Sequence, residues 1–362
     1  MKYMSAFRDS QAAAALSIQI HKITPHRTLR IMEVCGGHTM TIYKYGIKDL
    51  LPDSIHLVSG PGCPVCVTSN SFIDHAVALA RMPGVVVASF GDLIRVPGSL
   101  SSLVTERSQG KDVRVCYSPM DAVEIARREP DKDVVFLGIG FETTAPTVAA
   151  AVKHARTADI ENFKVLSAHK TMPHALKALV ENREVNIDAL ICPGHVSAIA
   201  GTQIYDFLAD RYRIPCVVCG FEPLDMLQSI YMIVKQISQG RSEVENQYSR
   251  VVNRLGNPVA QQALKDVFVP CDMEWRGLGM IPDSGLTLNE AYQVHDALKT
   301  IPVHLDAPSR ENPACICGDI MLGLKTPSDC PLFGNACIPE TPKGACMVSS
   351  EGNCAIYYKF FR

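Results

Sequence analysis

The sequence has little net charge of either sign: 35 Lys and Arg against 37 Asp and Glu leave a formal −2 at pH 7. So balanced a chain offers no general attraction to nucleic acid or to an anionic membrane, and neither is expected as a partner. No apolar run approaches the roughly 20 residues of a membrane-spanning helix. Met1–Ser10 carries Arg8 and Asp9 and lacks the apolar core of a secretory signal. The expectation is a soluble, cytoplasmic protein. Tryptophan occurs once, and Trp275 reads as an anchor for the C-terminal part of the chain rather than a substrate contact.

Hydrophobic residues make up 47% of the 362 residues and charged residues 20%, which is ordinary for a folded protein. At roughly 100–200 residues per domain, that length suggests two or three domains. Short β-branched runs at Arg30–Val34, Ile55–Ser59, Val85–Phe90 and Val113–Tyr117 alternate with helical spacing over Thr39–Leu51, Ser71–Met82 and Pro119–Arg128. The alternation continues with strands at Val134–Gly138, Lys164–Ser167, Ala189–Ile191 and Cys216–Cys219, and with helices near Pro146–Arg156, Pro173–Glu181 and Val196–Asp210. Such alternation implies parallel sheets built from βαβ units. A long helix is expected over Leu224–Gly240 and a charged helical stretch over Ser242–Leu255. After Pro270 the chain turns rich in Gly, Pro and Cys. The expected fold is therefore α/β, with two related open parallel-sheet domains flanking a cleft (1–130 and 131–255). A Cys-rich, irregular α+β C-terminal domain (256–362) follows.

Two turns echo each other. Cys35-Gly-Gly-His38 and Cys192-Pro-Gly-His195 each follow a strand and precede a helix. Phe90-Gly-Asp92, Gly140-Phe-Glu142 and Gly220-Phe-Glu222 also fall at strand ends, where open α/β sheets place their ligands. Asp92, Arg95, Glu142, His169, His195 and Glu222 are thus placed either to line the cleft or to cap helices and satisfy loops. Gly138-x-Gly140 lacks the third glycine of a dinucleotide fingerprint.

Fourteen cysteines are too many for an ordinary cytosolic chain of this size, and clusters of them there point to metal binding or redox chemistry. Cys317, Cys330, Cys337 and Cys354 follow a C-x12-C-x6-C-x16-C pattern around the turn-forming Pro331-Leu-Phe-Gly-Asn335. Four thiolates suit a [4Fe–4S] cluster, with structural zinc the plainer alternative, although its usual paired knuckles are missing. Cys315 is an alternative to Cys317 as first ligand, and Cys346 is a further thiol nearby. In Gly60-Pro-Gly-Cys63-Pro-Val-Cys66 the paired cysteines have the spacing of a redox-active dithiol, which can also chelate a soft metal. Cys35 adds a third thiolate at an adjacent strand end, with His38 as a fourth ligand or proton carrier. The plainer alternative is loop cysteines in tight turns. Cys216 and Cys219, three apart in a strand, point to opposite faces and read as buried structural thiols, as do Cys116, Cys192 and Cys271.

Cys35-Gly-Gly-His-Thr39, Gly60-Pro-Gly-Cys-Pro-Val-Cys66, Phe90-Gly-Asp92 through Val96-Pro-Gly98, Gly140-Phe-Glu-Thr-Thr144, Pro193-Gly-His-Val-Ser197, Gly220-Phe-Glu-Pro-Leu-Asp225 and the C-terminal cysteines together resemble the hydrogenase maturation factor HypD family. The resemblance implies assembly of the Fe(CN)2CO unit of [NiFe]-hydrogenases, the iron being carried as a transient intermediate. It implies a HypC-type chaperone and a HypE-type cyanide donor as partners, with the hydrogenase large subunit served indirectly. It also places Cys35, Cys63 and Cys66 at the iron site with His38 beside them. The cluster would exchange electrons with the Cys63–Cys66 pair, as in ferredoxin:thioredoxin reductase. A stand-alone [4Fe–4S] enzyme such as a dehydratase is the alternative reading, although four available ligands leave no open iron for substrate.

Overall fold

The structure, a computed structural model, describes residues 6–305 and 307–360; the first five residues of Met1–Ser10 lie outside them. Eleven strands are named in chain order. They are β1 (Leu29–Glu33), β2 (Ile55–Ser59), β3 (Val85–Ser89), β4 (Val113–Val115), β5 (Asp133–Gly140), β6 (Phe163–Lys170), β7 (Ala189–Pro193), β8 (Cys216–Cys219), β9 (Val244–Asn246), β10 (Phe268–Trp275) and β11 (Gly279–Leu288). They form two sheets, ordered β2-β1-β7-β8-β9 and β10-β11-β6-β5-β3-β4. The first sheet is parallel throughout. In the second, β6, β5, β3 and β4 are parallel, whereas β11 runs antiparallel to β6 and β10 antiparallel to β11.

The α/β class and its βαβ units are as the sequence implies, but sheet membership does not follow chain order. The chain leaves the first sheet after β2, builds β3 to β6 of the second, and then returns for β7 to β9. Each sheet therefore takes strands from both 1–130 and 131–255. The stretch after 256 is also less irregular than expected, since β10 and β11 form a hairpin that extends the second sheet. Ser242–Leu255 is not the expected helix. Val244–Asn246 pairs with Cys216–Val218 as an edge strand, and sheet pairing overrides the local helical spacing. The single helix expected over Val196–Asp210 is broken into Gly194–Ala200, a 3-10 turn and Asp206–Tyr212. The break falls at Gly201, whose φ is +84° and where a Cβ would lie 2.2 Å from the Arg254 carbonyl oxygen. No side chain fits there, and the left-handed backbone ends the helix.

Every residue of β3, β7 and β8 is buried, as in strands covered by helices on both faces. The helix Asn70–Arg81 shows why the covering helices form. Ser69 caps it by accepting from the Phe72 amide, and Phe72, Ile73, Ala76, Val77 and Ala80 make one buried face. Pro223–Ser238 starts at a reciprocal Glu222–Asp225 capping box. Among the described residues no helix is long and apolar enough to cross a membrane.

The parallel part of each sheet has one place where the connections leaving neighbouring strands diverge. In the first, β1 leads to β2 on one side and β7 leads to β8 on the other. In the second, β3 leads to β4 and β5 leads to β6. Crevices at the carboxyl ends of such strand pairs are the usual ligand positions of open α/β sheets. Cys35 and Cys192-Pro-Gly-His195 stand at the first, and Phe90-Gly-Asp92 and Gly140-Phe-Glu142 at the second.

Candidate functional site

Cys35 is the N-cap of the helix Gly36–Lys44, in extended backbone and without a side-chain cap bond. The Glu33 carboxylate takes over the capping function, accepting from the Cys35 amide at 3.0 Å and from the Thr39 hydroxyl. Burial pushes the Glu33 carboxyl up to about 8. Burial, with Glu351 and Glu33 nearby, likewise pushes the Cys35 thiol up to about 12. Cys35 is therefore a thiol near neutral pH, and a metal ion binding to it must displace a proton.

The loop after β2 is pressed against this cysteine. A Cβ on Gly62 would lie 2.1 Å from the Cys35 nitrogen and 2.2 Å from the Val34 carbonyl carbon, so only glycine permits the approach. The next residue, Cys63, is disulfide-bonded to Cys66, with Cα atoms 5.2 Å apart, and both are buried. A Cβ on Gly36 would meet the Glu351 carbonyl oxygen at 2.3 Å, so the C-terminal segment closes over the same turn. Beside it lies a cavity of about 420 Å³. Its wall includes Pro64 and Val65, Asp92 after β3, Cys116 after β4, Gly140 at the end of β5, and Glu351. The cavity thus lies at the carboxyl ends of β3, β4 and β5, with the loop after β2 closing one side.

His38 is fully buried, and burial lowers its imidazole to about 4, so it is neutral. Its Nε2 lies 3.2 Å from the Cys219 carbonyl oxygen and must donate there. That tautomer leaves the Nδ1 lone pair buried without a partner. The rings of His38 and exposed His195 both stack on Phe221, at 4.8 and 3.9 Å between centroids. Phe221 in turn accepts from the Thr41 hydroxyl through its carbonyl at 2.7 Å. The aromatic residue between the two histidines is thereby fixed to the helix that Cys35 begins.

The C-terminal cysteines also come together. Cys317, Cys330, Cys337 and Cys354 line one small pocket, and Cys315 and Cys346 line it with them. Ile320, Leu332, Phe333 and Met347 supply its apolar wall. Cys346 lies within hydrogen-bond reach of both Cys317 and Cys354, so it belongs to the group as closely as the four spaced in sequence. Gly344 keeps the pocket open, since a Cβ there would fall 2.7 Å from the Cys315 sulfur. Among the described residues no three His, Cys, Asp or Glu side chains converge as a single metal ion would require. Six thiols line one space walled by apolar side chains, more than the four thiolates that an iron–sulfur cluster would take. Burial pushes the Cys337 thiol up. A hydrogen bond shared with Cys317, together with burial, raises Cys315, while the Arg276 guanidinium draws it down.

The two thiol groups are tied to each other. Thr68, two residues after Cys66, bridges to Trp275, and the Arg276 amide donates to the Val67 carbonyl at 2.9 Å. The next residue, Gly277, packs on Gly318, with an added Cβ only 2.3 Å from its Cα. Gly318 follows Cys317. Trp275 anchors this bridge: it is fully buried, its Nε1 donates to Ser284 at 2.8 Å, and its ring stacks on Phe141.

The remaining candidates sort by environment. Glu222 pairs with Arg8 and caps its helix. His169 is buried against Gly138, where a Cβ would be 2.7 Å from its Cε1, so this glycine serves packing. Arg95 donates to the Pro339 carbonyl. Glu142 is buried, with one oxygen accepting from the Met172 amide and the other unpartnered, and burial raises it to about 7. Cys216 and Cys219 pack into different cores on opposite faces of their sheet. Sequence reasoning passed over Glu33, Glu351, Phe221 and Arg276. Only Glu33, a carboxylate inside an apolar strand, carried a visible signal.

Comparison with known proteins agrees over the whole chain. A family described as "HypD: Hydrogenase formation hypA family" matches residues 11–361. The hydrogenase maturation factor HypD of Escherichia coli (strain K12) is 48% identical, covering 99% of this chain and 98% of its own. That of Rhizobium leguminosarum bv. viciae is 46% identical, covering 100% and 96%. A putative hydrogenase expression/formation protein of Methanocaldococcus jannaschii is 47% identical over 92% of each chain. With these matches and the motifs gathered at the two sheet crevices, the chain belongs to the HypD family of hydrogenase maturation factors.

Proposed function

We propose that this chain is the scaffold on which the Fe(CN)2CO unit of [NiFe]-hydrogenases is assembled, with a HypC-type chaperone and a HypE-type cyanide donor as partners. The cytoplasm, where thiols stay reduced, is its compartment. The observation that supports this reading is the contact of Gly62 with the Cys35 backbone, which presses the Cys63–Cys66 loop against the turn that Cys35 begins. The iron is the substrate. Soft thiolates suit iron bearing strong-field ligands, and Cys35 releases its proton as the iron binds. Neutral His38, whose Nδ1 is unpartnered, can accept a hydrogen bond there.

Cys63 and Cys66 form the redox pair. Their disulfide takes up two electrons and two protons to give two thiols, using a low-potential one-electron donor. Cys317, Cys330, Cys337 and Cys354 hold a [4Fe–4S] cluster, with Cys315 and Cys346 in reach of it. Such a cluster, when bound, supplies one-electron transfer. The Thr68–Trp275 bridge and the Gly277–Gly318 contact support a role next to the pair, because they fix the two thiol groups in one rigid unit.

Infrared spectroscopy of the chain co-purified anaerobically with its small chaperone tests this reading. Bands from CO and cyanide on iron are expected, and they should vanish in Cys35→Ala. A complex competent in maturation that never shows those bands would overturn the scaffold role.

A further inference from the structure

On the outer side of the cysteine pocket is a second cavity, of about 450 Å³, that shares Cys315 as a wall. Its lining carries three cations, Arg276, Arg310 and Lys343, against one carboxylate, Glu311. Arg276 is only 4% exposed. Its Nε donates to the Thr68 carbonyl at 2.8 Å, and its Nη1 is 3.8 Å from Glu311, too long for a hydrogen bond. Its Nη2 is buried with no partner. A buried guanidinium so poorly neutralised is costly, and an anion at this position would remove the cost.

A second orphan stands in the same wall. Asn70 is 6% exposed, and its Nδ2 donates to the Arg310 carbonyl at 2.6 Å, which fixes the amide orientation. Its Oδ1 is left buried and unpartnered. An acceptor in a wall of cations calls for a ligand that is both anionic and still bears a hydroxyl. Asn70 is also the first residue of Asn70–Arg81, whose N-terminal dipole favours negative charge.

We propose that this cavity binds a small hydroxyl-bearing oxyanion, of which hydrogen phosphate is the simplest. Arg276, with Arg310 and Lys343, receives the charge, and Asn70 accepts the hydroxyl proton. The occupant lies beside Cys315, so it places a negative charge against the cysteine pocket and shares Arg276 with the thiols. The site does not depend on the maturation reading.

The test is calorimetric titration of inorganic phosphate into the anaerobically purified full-length chain, at fixed ionic strength and near neutral pH. Saturable binding at one site per chain is expected. Loss of a charged hydrogen bond, worth about 1.5–3 kcal/mol, predicts that Arg276→Gln weakens it roughly 10- to 150-fold. Because Arg276 also holds Thr68, exposed Lys343→Ala and Arg310→Ala provide variants independent of folding, each expected to weaken phosphate about two- to fivefold. Sulfate, which has no proton to give Asn70, should bind at least about fivefold more weakly than phosphate. Absence of saturable phosphate binding, or equal affinity in all three variants, overturns the site. Equal binding of sulfate overturns the part assigned to Asn70.

Discussion

Cys35-Gly-Gly-His38 and Cys192-Pro-Gly-His195 look like copies, and they end neighbouring strands, yet their cysteines do different things. The register pairs Glu33 with Ile191, so continuing it sets Val34 opposite Cys192 and Cys35 opposite Pro193. The echo is out of step by one residue. In a strand that single step reverses the face a side chain occupies. Cys192 accordingly lies with Val34 in the central core, fully buried and within hydrogen-bond reach of Cys216. Cys35 falls beyond its strand, at the helix cap, where the Gly62 loop and Glu351 reach it. The histidines differ correspondingly, His38 being buried and His195 exposed, although both stack on Phe221. A shared motif therefore says little about role until its register is known.

Exchanging the cysteines is the sharpest way to break this contrast. Cys35→Ser should lower hydrogenase maturation at least about 100-fold while leaving the urea midpoint unchanged, whereas Cys192→Ser should mature the enzyme within about twofold and lose about 1–3 kcal/mol of stability from its buried hydroxyl. Reversed outcomes in paired activity and denaturation assays would dissolve the distinction. Gly62→Ala attacks the contact directly. Its Cβ would collide with backbone at 2.1 Å, so we expect at least a tenfold loss of maturation with a measurable drop in stability. Wild-type behaviour in this variant would mean that the loop and Cys35 need not touch.

Removing iron contrasts the two thiol groups. Chelation under anaerobic conditions should make the backbone around Cys315–Cys354 markedly more sensitive to limited proteolysis and leave the sheet strands protected. Equal sensitivity before and after chelation would argue against a cluster-organised segment. The smallest effect separates the histidines. Burial depresses His38 to about 4 in the folded chain, while an unfolded histidine titrates near 6.5. The stabilising contribution is therefore present above pH 6.5 and is lost as pH falls towards 4, at up to about 1.4 kcal/mol per pH unit. His38→Gln should flatten that part of the stability profile, and exposed His195→Gln should change it much less. Identical profiles for both variants would show that the two rings share one environment.

Much of this was legible in the sequence, for reasons that can be traced. The strands and most helices follow from period and punctuation, and all four spaced C-terminal cysteines do line one pocket. Cys346 was read only as a spare thiol nearby, because ligand spacing along the chain does not show how closely a short helix folds back on the others. The sheet interleaving was illegible because each βαβ unit looks the same whichever sheet receives it. β9 was missed because three residues at a sheet edge owe their extended form to a partner strand and not to their own pattern. Arg276 and Glu351 act through contacts more than 200 residues away in the chain, on Thr68 and on Gly36.

The interleaving of the sheets has a consequence for the order in which this protein can be made. As the ribosome releases the chain, β1 and β2 have no central neighbour until β7 has emerged some 130 residues later. Cys63 and Cys66 meanwhile await Trp275 and Arg276, and Cys35 awaits Glu351, close to the end of the chain. Such long-range pairings close slowly because the loop entropy is spent before the contacts form. The Cys35 turn and the Cys63–Cys66 loop consequently stay open to the surrounding solution until those distant segments have been made. A chain still being made thus exposes Cys35, Cys63 and Cys66 to oxidants and stray metals for most of its synthesis, and the folded protein shields them through contacts made late.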